Sequence, residues 1–277
     1  MTRINLEYIL NLIDSKIEES ITLDYKRELP KKNNNEISKD ISAFANTSGG
    51  RIIYGIDEID SLPNSINWIN NKGVKERIES VILTNIQPEI KEYDIYSVEN
   101  PTNPSKAIFI VDIPESPDAP HMANNKKYHI RRNLISEPME DLEVKNAIFR
   151  KGLKKALEFE VKQNLELSNK TNDLIFKFSD SKKAVLLIPF HIEAWKAFVN
   201  SGMLFILKDK ATALVEAYSI IHEINFFIDS LRYGNYGKYG NNVVTITDDK
   251  SNGGWIPNII KIKIHNLKPI LEKIKFE

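Results

Sequence analysis

Apolar residues recur at helical spacing over the first seventeen positions, and this period predicts an amphipathic helix. Asn5 stands where the helix would begin, and its side chain can accept a hydrogen bond from a free backbone N–H of the first turn. From Ser20 to Lys26 polar and apolar residues alternate, which is the pattern of a half-buried strand. Alternation puts Asp24 and Lys26 on one face of this strand and Tyr25 on the other.

The same signals predict the elements that follow. Apolar residues on one face of Glu36–Asn46 predict a helix, which the glycines at 49 and 50 end. A strand from Arg51 to Ile56 then runs into the acidic pair Asp57 and Glu58. Later residues predict a helix at Val74–Asn85, strands near Ile90–Val98 and Ala107–Ile113, and a basic strand at Lys126–Arg132.

The second half of the chain is predicted to be mostly helical. A long helix from Met139 to about Ser168 would connect the halves, and a strand at Ala184–Phe190 follows it. Two helices, Ile192–Leu207 and Lys210–Leu231, carry aromatic and aliphatic stripes at helical spacing and would pack as a hairpin. The segment Tyr233–Asn242 is rich in Gly, Asn and Tyr, and two readings stay open for it: a surface loop, or tyrosines that stack on bases.

Composition narrows the class of protein. The 277 residues are 42% hydrophobic, which is enough for a core in one large or two small domains. Absence of cysteine excludes disulfides and thiolate metal sites. No apolar run approaches the roughly 20 residues that span a bilayer, and the start lacks the apolar core of a signal peptide. We therefore expect a soluble, cytoplasmic protein without a membrane partner.

Charge is unevenly distributed along the chain. The total is balanced, but residues 1–150 hold 19 Lys and Arg against 24 Asp and Glu, a net charge of −5, and residues 151–277 carry +5. General binders of the nucleic-acid backbone usually have a strong basic excess. Binding of nucleic acid by the first half would therefore depend on local patches.

The acidic residues near the two strands allow two interpretations. Three carboxylates that converge with a lysine would bind Mg²⁺ or Mn²⁺ and hold a phosphodiester while water attacks it. The lysine would stabilise the developing negative charge. Alternatively, Asp24 and Lys26 form an ordinary solvated strand face, and Asp57 and Glu58 an ordinary acidic turn. These residues alone leave both interpretations open.

Three segments of the chain resemble a known family. Glu19-Ser-Ile-Thr-Leu-Asp-Tyr-Lys26, then Ser42-Ala-Phe-Ala-Asn-Thr-Ser-Gly-Gly-Arg-Ile-Ile-Tyr-Gly-Ile-Asp-Glu58, and then Tyr128-His-Ile-Arg-Arg-Asn-Leu-Ile-Ser-Glu-Pro-Met139 resemble, in order, the motifs of the Schlafen AlbA-like domain. The resemblance covers about residues 15–150. It implies an α/β fold with a mixed sheet and flanking helices for a domain at 1–150, followed by a mostly helical domain at 151–277.

The resemblance also implies a function. Members with nuclease activity are metal-dependent endoribonucleases that act on tRNA and rRNA through three carboxylates, and many microbial members are known only as DNA-binding or regulatory modules. Carried over by position, the metal ligands for Mg²⁺ or Mn²⁺ are Glu19, Asp24 and Glu58, and Lys26 completes the catalytic group. Asp24 stands where Glu is usual and Glu58 where Asp is usual, so Asp57 is a substitute third ligand. Asn133 replaces a glycine of the last motif.

The basic strand offers a surface for nucleic acid. Alternation puts Lys127, His129 and Arg131 on one face, where they would receive a phosphate backbone. The other interpretation is an edge strand whose lysines prevent aggregation. The expected nucleic-acid-binding residues are Lys126, Lys127, His129, Arg131 and Arg132.

Other chemistries are disfavoured. The chain has no Gly-x-x-x-x-Gly-Lys-Ser/Thr loop, so no nucleotide triphosphate is expected, and it has no Gly-x-Ser-x-Gly elbow. The leading hypothesis is a metal-dependent endoribonuclease that cleaves structured RNA such as tRNA. The alternative is a non-catalytic nucleic-acid-binding or regulatory module, for RNA or DNA, and a protein-interaction adaptor built on the helical hairpin is a third hypothesis. Monomer and homodimer are both left open.

Overall fold

The structure, a computed structural model, describes residues 2–31, 33–181, 185–207, 209–233, 237–240, 243–246 and 255–276. Its contacts divide the chain into two compact units, Met1–Lys151 and Gly152–Glu277. No helix in the described ranges is long and apolar enough to cross a membrane.

Unit 1 alternates helices and strands. Its helices are α1 Leu6–Asp14, α2 Asn34–Ala45 and α3 Val74–Asn85, and α4 Asp141–Ser181 begins in this unit. Its strands are β1 Leu23–Lys26, β2 Gly49–Tyr54, β3 Ile56–Ile59, β4 Leu62–Ile66, β5 Ile69–Asn70, β6 Asp94–Asn100, β7 Asn103–Pro114, β8 His129–Arg132 and β9 Ile135–Pro138.

A mixed five-stranded sheet forms the centre of unit 1. The strands are paired in the order β1-β2-β7-β5, and β6 also pairs with β7. β6 lies along the edge of β7 opposite to β2, because the same residues of β7 pair with both strands. β1 is parallel to β2 because α2 crosses over between them, and the remaining pairs are antiparallel. Two separate hairpins, β3–β4 and β8–β9, lie outside this sheet. The prediction of an α/β fold with a mixed sheet, flanking helices and a helical C-terminal region is confirmed.

The sheet is covered on both faces, so side chains of β2 alternate between two hydrophobic clusters. Ile52 and Tyr54 pack with residues of α2 and α3, whereas Ile53 packs with Ile9 of α1. Tyr25 of β1 belongs to the α1 cluster. Asp24 is therefore on the opposite face, toward α2.

Several predicted element boundaries are close to those observed. Asn5 does cap α1, because its side chain accepts the backbone N–H of Tyr8 at 2.9 Å. The bounds of α3 coincide with the prediction, and α2 begins two residues earlier than expected.

The expected strand from Ser20 is shorter than predicted. Only Leu23–Lys26 is a strand, since Ser20 folds back on Leu23 through backbone hydrogen bonds of 2.9 and 3.3 Å. The Ser20 hydroxyl also accepts the backbone N–H of Thr22 at 3.2 Å. Local side-chain hydrogen bonds of this kind compete with strand formation.

The acidic pair does not simply follow the end of β2. β2 ends at Tyr54, Gly55 has a φ of 109°, and Asp57 and Glu58 lie within β3. β3 turns into β4 through Asp60 and Ser61, whose φ angles of 53° and 64° form a tight hairpin turn.

Unit 2 is mainly helical, as predicted. Its elements are the rest of α4, β10 Val185–Leu187, α5 Glu193–Asn200, a 3₁₀ turn Leu204–Leu207, α6 Lys210–Tyr233, β11 Gly237–Gly240, β12 Val243–Ile246 and α7 Trp255–Lys273. The expected helix Ile192–Leu207 is broken at Gly202, where φ is 68°. Part of the Tyr233–Asn242 segment forms β11, and residues 234–236 and 241–242 lie outside the described residues.

The core of unit 2 contains the aromatic stripes that the sequence assigned to packing. Trp195 and Tyr218 stack with ring centroids 4.6 Å apart. Buried Glu160 of α4 accepts the Tyr218 hydroxyl at 2.6 Å and the backbone N–H groups of Ala194 and Trp195 at 2.7 and 3.0 Å. Glu160 thereby satisfies free donors at the start of α5.

Candidate functional site

Asp24 is a buried carboxylate held by two cations. It is 1% exposed and lies on β1. Its Oδ1 accepts a hydrogen bond from Arg131 Nη1 at 3.1 Å, and its Oδ2 lies 2.5 Å from Nζ of Lys26. The Lys26 contact is an ion pair without hydrogen-bond alignment. Both oxygens of Asp24 are therefore already paired with positive charge.

Arg131 is fixed beneath the surface. Its side chain is 2% exposed, its Nη2 donates to the carbonyl of Ser20 at 3.0 Å, and its guanidinium lies 4.6 Å from the centre of the Phe44 ring. The backbone N–H of Arg131 donates to Oγ1 of Thr47 at 2.9 Å. These contacts join β8 to β1 and to the end of α2.

The Ser-Ala-Phe-Ala-Asn-Thr segment is the scaffold for this arrangement. The side chain of Asn46 accepts the backbone N–H of His121 at 2.6 Å and donates to the carbonyls of His121 and His129, both at 2.8 Å. Gly50 allows Phe44 to approach, because a Cβ at Gly50 would lie 2.4 Å from Cε1 of the Phe44 ring. The segment therefore fixes Arg131 rather than contributing reactive groups.

Glu19 closes the outer edge of β1. Its Oε1 accepts the backbone N–H of Tyr25 at 2.7 Å, and its own N–H donates to the carbonyl of Ser61 at 2.9 Å. The pKa of Glu19 is raised to about 7, chiefly by burial. The negative charges of Asp24 and Glu58 contribute to this rise, and the Tyr25 N–H and the charge of Lys26 oppose it. Glu19 is thus partly protonated near neutral pH.

Glu58 is brought toward Glu19 by the β3–β4 hairpin, whose turn is tied to Glu19 at Ser61. Glu58 is exposed, and Asp57, the substitute ligand, lies 3.2 Å from Nε of Arg27. The structure therefore brings Glu19, Asp24, Lys26 and Glu58 into one electrostatic neighbourhood.

Lys39 and Asp40 of α2 belong to the same neighbourhood, although the sequence reading did not select them. Asp40 is 7% exposed and lies 3.7 Å from Nζ of Lys39. Burial raises the pKa of Asp40, while Lys39 and Lys26 oppose this effect. The sequence did contain a signal for Asp40, because it lies on the buried side of a predicted helix. A buried carboxylate needs a charged or hydrogen-bonding partner, so such an Asp indicates a polar site.

In the arrangement described, a Mg²⁺ or Mn²⁺ ion bound by Asp24 would have to displace the cations that pair with its oxygens. A hard cation needs several ionised oxygen ligands, but Arg131 and Lys26 occupy Asp24, and Glu19 is partly protonated. Within the described ranges, no three His, Cys, Asp or Glu side chains form a group that could hold a metal ion.

The basic face expected for Lys126–Arg132 differs in the structure, because two of its residues are buried. His129 and Arg131 are each 3% exposed, so they do not line an open groove. Arg132 is exposed but pairs with Glu137 at 3.2 Å and Glu143 at 2.7 Å. Lys126 and Lys127 are exposed. The strand itself is only His129–Arg132, because the residues before it form a turn, in which the Lys126 N–H donates to the carbonyl of Ala123 at 3.0 Å and Lys126 has a φ of 62°.

Exposed Lys127 and Lys39 both act on the same buried histidine, His129. Burial lowers the pKa of His129, and the charges of Lys39 and Lys127 lower it further. Lys39 in turn acts with Lys26 on Asp40. Asp40 thus feels the charges of Lys26 and Lys39, and His129 feels those of Lys39 and Lys127. We call these three lysines, Lys26, Lys39 and Lys127, the lysine row.

Comparisons with known proteins find a family for part of the chain. Residues 19–140 match the family model described as Schlafen, AlbA_2. A search of curated proteins found no match. The crystal structure of the DIP2311 protein from Corynebacterium diphtheriae is similar at 13% identity and a TM-score of 0.35, over 50% of this chain and 27% of that one. This chain therefore spans about a quarter of that structure.

Proposed function

We propose that this chain, whose residues 19–140 form a Schlafen AlbA_2 domain, is a nucleic-acid-binding protein that holds a phosphate backbone at its lysine row. The family match supports a nucleic-acid-related role. The proposal of phosphate binding rests on one observation: both oxygens of Asp24 are paired, one with Arg131 and the other with Lys26. The buried Asp24 carboxylate is therefore not free to bind a metal ion.

The charge of the site favours a polyanion. Asp24 is matched by two cations, and the pKa of Glu19 is raised to about 7, which reduces the negative charge of Glu19 near neutral pH. Lys26 pairs with Asp24, and Lys39 pairs with Glu36 at 2.5 Å and with Asp40 at 3.7 Å. Their side chains are still 37% and 25% exposed, and Lys127 is exposed, so a phosphate group could compete for these ammonium groups. Phosphate contacts from lysine position a nucleic acid without reading its sequence.

The local character of the patch agrees with the charge distribution. Unit 1 has an acidic excess, so a nucleic acid would be attracted only where cations gather. We therefore propose weak, salt-sensitive binding. Phosphate contacts by this row supply its affinity, and each of them releases counterions.

Salt dependence of binding tests the proposal. Fluorescence anisotropy with tRNA and with duplex DNA should give a log-log slope against salt that falls by about one for each of Lys39→Ala and Lys127→Ala. Lys75→Ala is the matched control, since exposed Lys75 acts on Asp94 of β6, the strand at the opposite edge of the sheet from β1. Slopes that stay unchanged in both variants would exclude the lysine row.

Metal-dependent cleavage of structured RNA such as tRNA is the second candidate function. One observation favours it: Asp24 and Glu58 both act on the pKa of Glu19, so three carboxylates share one neighbourhood. Incubation of tRNA with Mn²⁺ or Mg²⁺ tests this candidate, and Glu58→Gln is the preferred variant because Glu58 is exposed and its replacement leaves the buried pair intact. Cleavage that chelator and Glu58→Gln both stop would establish it.

A further inference from the structure

His129 is a buried histidine that lies between β8 and α2. Its Nε2 is 3.1 Å from Nδ2 and 3.2 Å from Oδ1 of Asn125. Its Nδ1 is buried and has no hydrogen-bond partner among the residues that the structure describes. The residue opposite it on β9 is Pro138, which carries no charge. Because His129 is withdrawn from bulk water, the groups around it decide whether its ring is charged.

The amide of Asn125 suits either protonation state of His129. Its Oδ1 accepts a hydrogen bond from Nε2 when that nitrogen carries a proton, and its Nδ2 donates to Nε2 when the nitrogen is bare. The same Oδ1 accepts the backbone N–H of Lys127 at 3.2 Å, so one turn joins His129 to an exposed lysine. Uptake of a proton by the ring therefore leaves a hydrogen-bond partner in place within this turn.

Charged side chains from α2 and from the turn before β8 act on His129. Lys39 and Glu36 belong to α2, which packs against β8, and Lys127 belongs to the turn. The pKa of His129 is lowered chiefly by burial; the charges of Lys39 and Lys127 contribute, and that of Glu36 opposes them. Arg131, on the same face of β8, is already held in an ion pair. The two lysines thus help to keep the ring neutral.

We propose, as a step that rests on the proposed function, that phosphate binding at the lysine row is coupled to uptake of a proton by His129, so that nucleic acid binds more tightly in more acidic solution. A phosphate group beside Lys39 and Lys127 cancels part of the positive charge that opposes the imidazolium. The coupling is reciprocal, so the proton strengthens phosphate binding by the same factor. His129 thereby regulates the row without contact with the ligand.

The direction of the pH dependence follows from this linkage. In the free protein the pKa of His129 lies below its ordinary value, so the ring is neutral at neutral pH. With phosphate bound the pKa is higher. Affinity is therefore constant above both pKa values, rises as pH falls between them, and levels off below both.

NMR titration of the histidine ring signals of the full chain tests the coupling. His129→Gln identifies the signal of His129 among those of the five histidines. In the free protein, Lys39→Ala and Lys127→Ala should each raise the pKa of His129. Addition of a short DNA duplex to the wild type should raise it as well. Exposed His222 of α6 is the internal control, and its pKa should not change in any of these experiments.

Fluorescence anisotropy with tRNA, at about pH 7.5 and about pH 5.5 and constant ionic strength, tests the consequence for binding, because histidine titrates in this range. The gain in affinity at the lower pH should be about fivefold larger for the wild type than for His129→Gln, which is the low end of coupling between linked sites. Glu19 is present in both proteins, so its titration cancels in the comparison.

The outcomes separate this inference from the function on which it rests. A pKa of His129 that stays the same with DNA, while Lys39→Ala still lowers the salt slope of binding, would overturn the coupling and leave the phosphate site in place. Equal gains in affinity for the wild type and His129→Gln would overturn it too. Salt slopes that neither lysine variant changes would remove the phosphate site and this inference with it.

Discussion

Arg131 and Asp24 are 107 residues apart in sequence, yet they form a hydrogen-bonded ion pair in which both side chains are almost fully buried. Removing one partner of such a pair leaves an uncompensated buried charge, which typically costs about 3–5 kcal/mol. We expect Asp24→Ala to lower the free energy of unfolding by this amount in urea titrations. Lys26→Met should cost about 1 kcal/mol or less, because the Lys26 side chain is 37% exposed.

The control for this prediction is the double variant Asp24→Leu with Arg131→Met. Apolar residues of similar volume remove both charges together, so the double variant should be more stable than Asp24→Ala. A double-variant cycle measures the coupling. A coupling energy near zero would mean that the two side chains do not depend on each other in the folded protein.

Glu19 links stability to pH. Its pKa of about 7 in the folded protein, raised from 4.5 by burial, means that the folded state binds the proton more tightly than the unfolded chain. The free energy of unfolding therefore falls as pH rises from about 4.5 to about 7. Glu19→Gln should stabilise the protein at pH 8 by about 1–2 kcal/mol after allowance for solvent screening, and by much less at pH 4.

Thermal unfolding across this pH range is the measurement. Glu18→Gln is the matched control, since Glu18 is the exposed neighbour of Glu19. A Glu19→Gln variant with the same pH profile as the wild type would show that this carboxylate does not retain a proton at neutral pH.

The sequence predicted which side chains share a face more reliably than which face is buried. A period of two sufficed to place Asp24 and Lys26 together, and the structure has them in an ion pair. The same period grouped Lys127, His129 and Arg131, but the structure buries His129 and Arg131. Alternation defines the two faces of a strand but not which of them is buried. Here the face of Arg131 is buried because Arg131 contacts Asp24 and Phe44, which are remote from it in sequence.

Local chemistry also explains which boundaries were predictable. The helical spacing of Ile78, Val81 and Ile82, which are buried in α3, predicts that helix. The start of β1 depends instead on hydrogen bonds between Ser20 and Leu23, which an alternating pattern does not reveal. Asn133, which stands where the resembled motif has glycine, has a φ of 53°, a left-handed backbone that glycine adopts most readily.

Asn46 should be sensitive to a change of one atom. Asn46→Asp keeps an oxygen for the His121 N–H but removes the N–H₂ group that donates to the carbonyls of His121 and His129. Two acceptors would lose their partner and face a negative charge, so we expect a loss of about 2–4 kcal/mol in the free energy of unfolding. Asn103→Asp is the control, because Oδ1 of exposed Asn103 only accepts, from the N–H and hydroxyl of Ser105.

Divalent metal separates the two candidate functions. Because Arg131 and Lys26 already pair with both oxygens of Asp24, we expect Mn²⁺ or Mg²⁺ at millimolar concentration to leave the melting temperature of the wild type unchanged. A site filled at a hundred times its dissociation constant would add about 2.7 kcal/mol, a shift that a thermal melt resolves easily. Glu58→Gln, at an exposed position of the proposed ligand set, is the matched variant. A rise in melting temperature with Mn²⁺ that Glu58→Gln removes would mean that the ion pairs of Asp24 yield to metal, and it would favour the nuclease over the binding module.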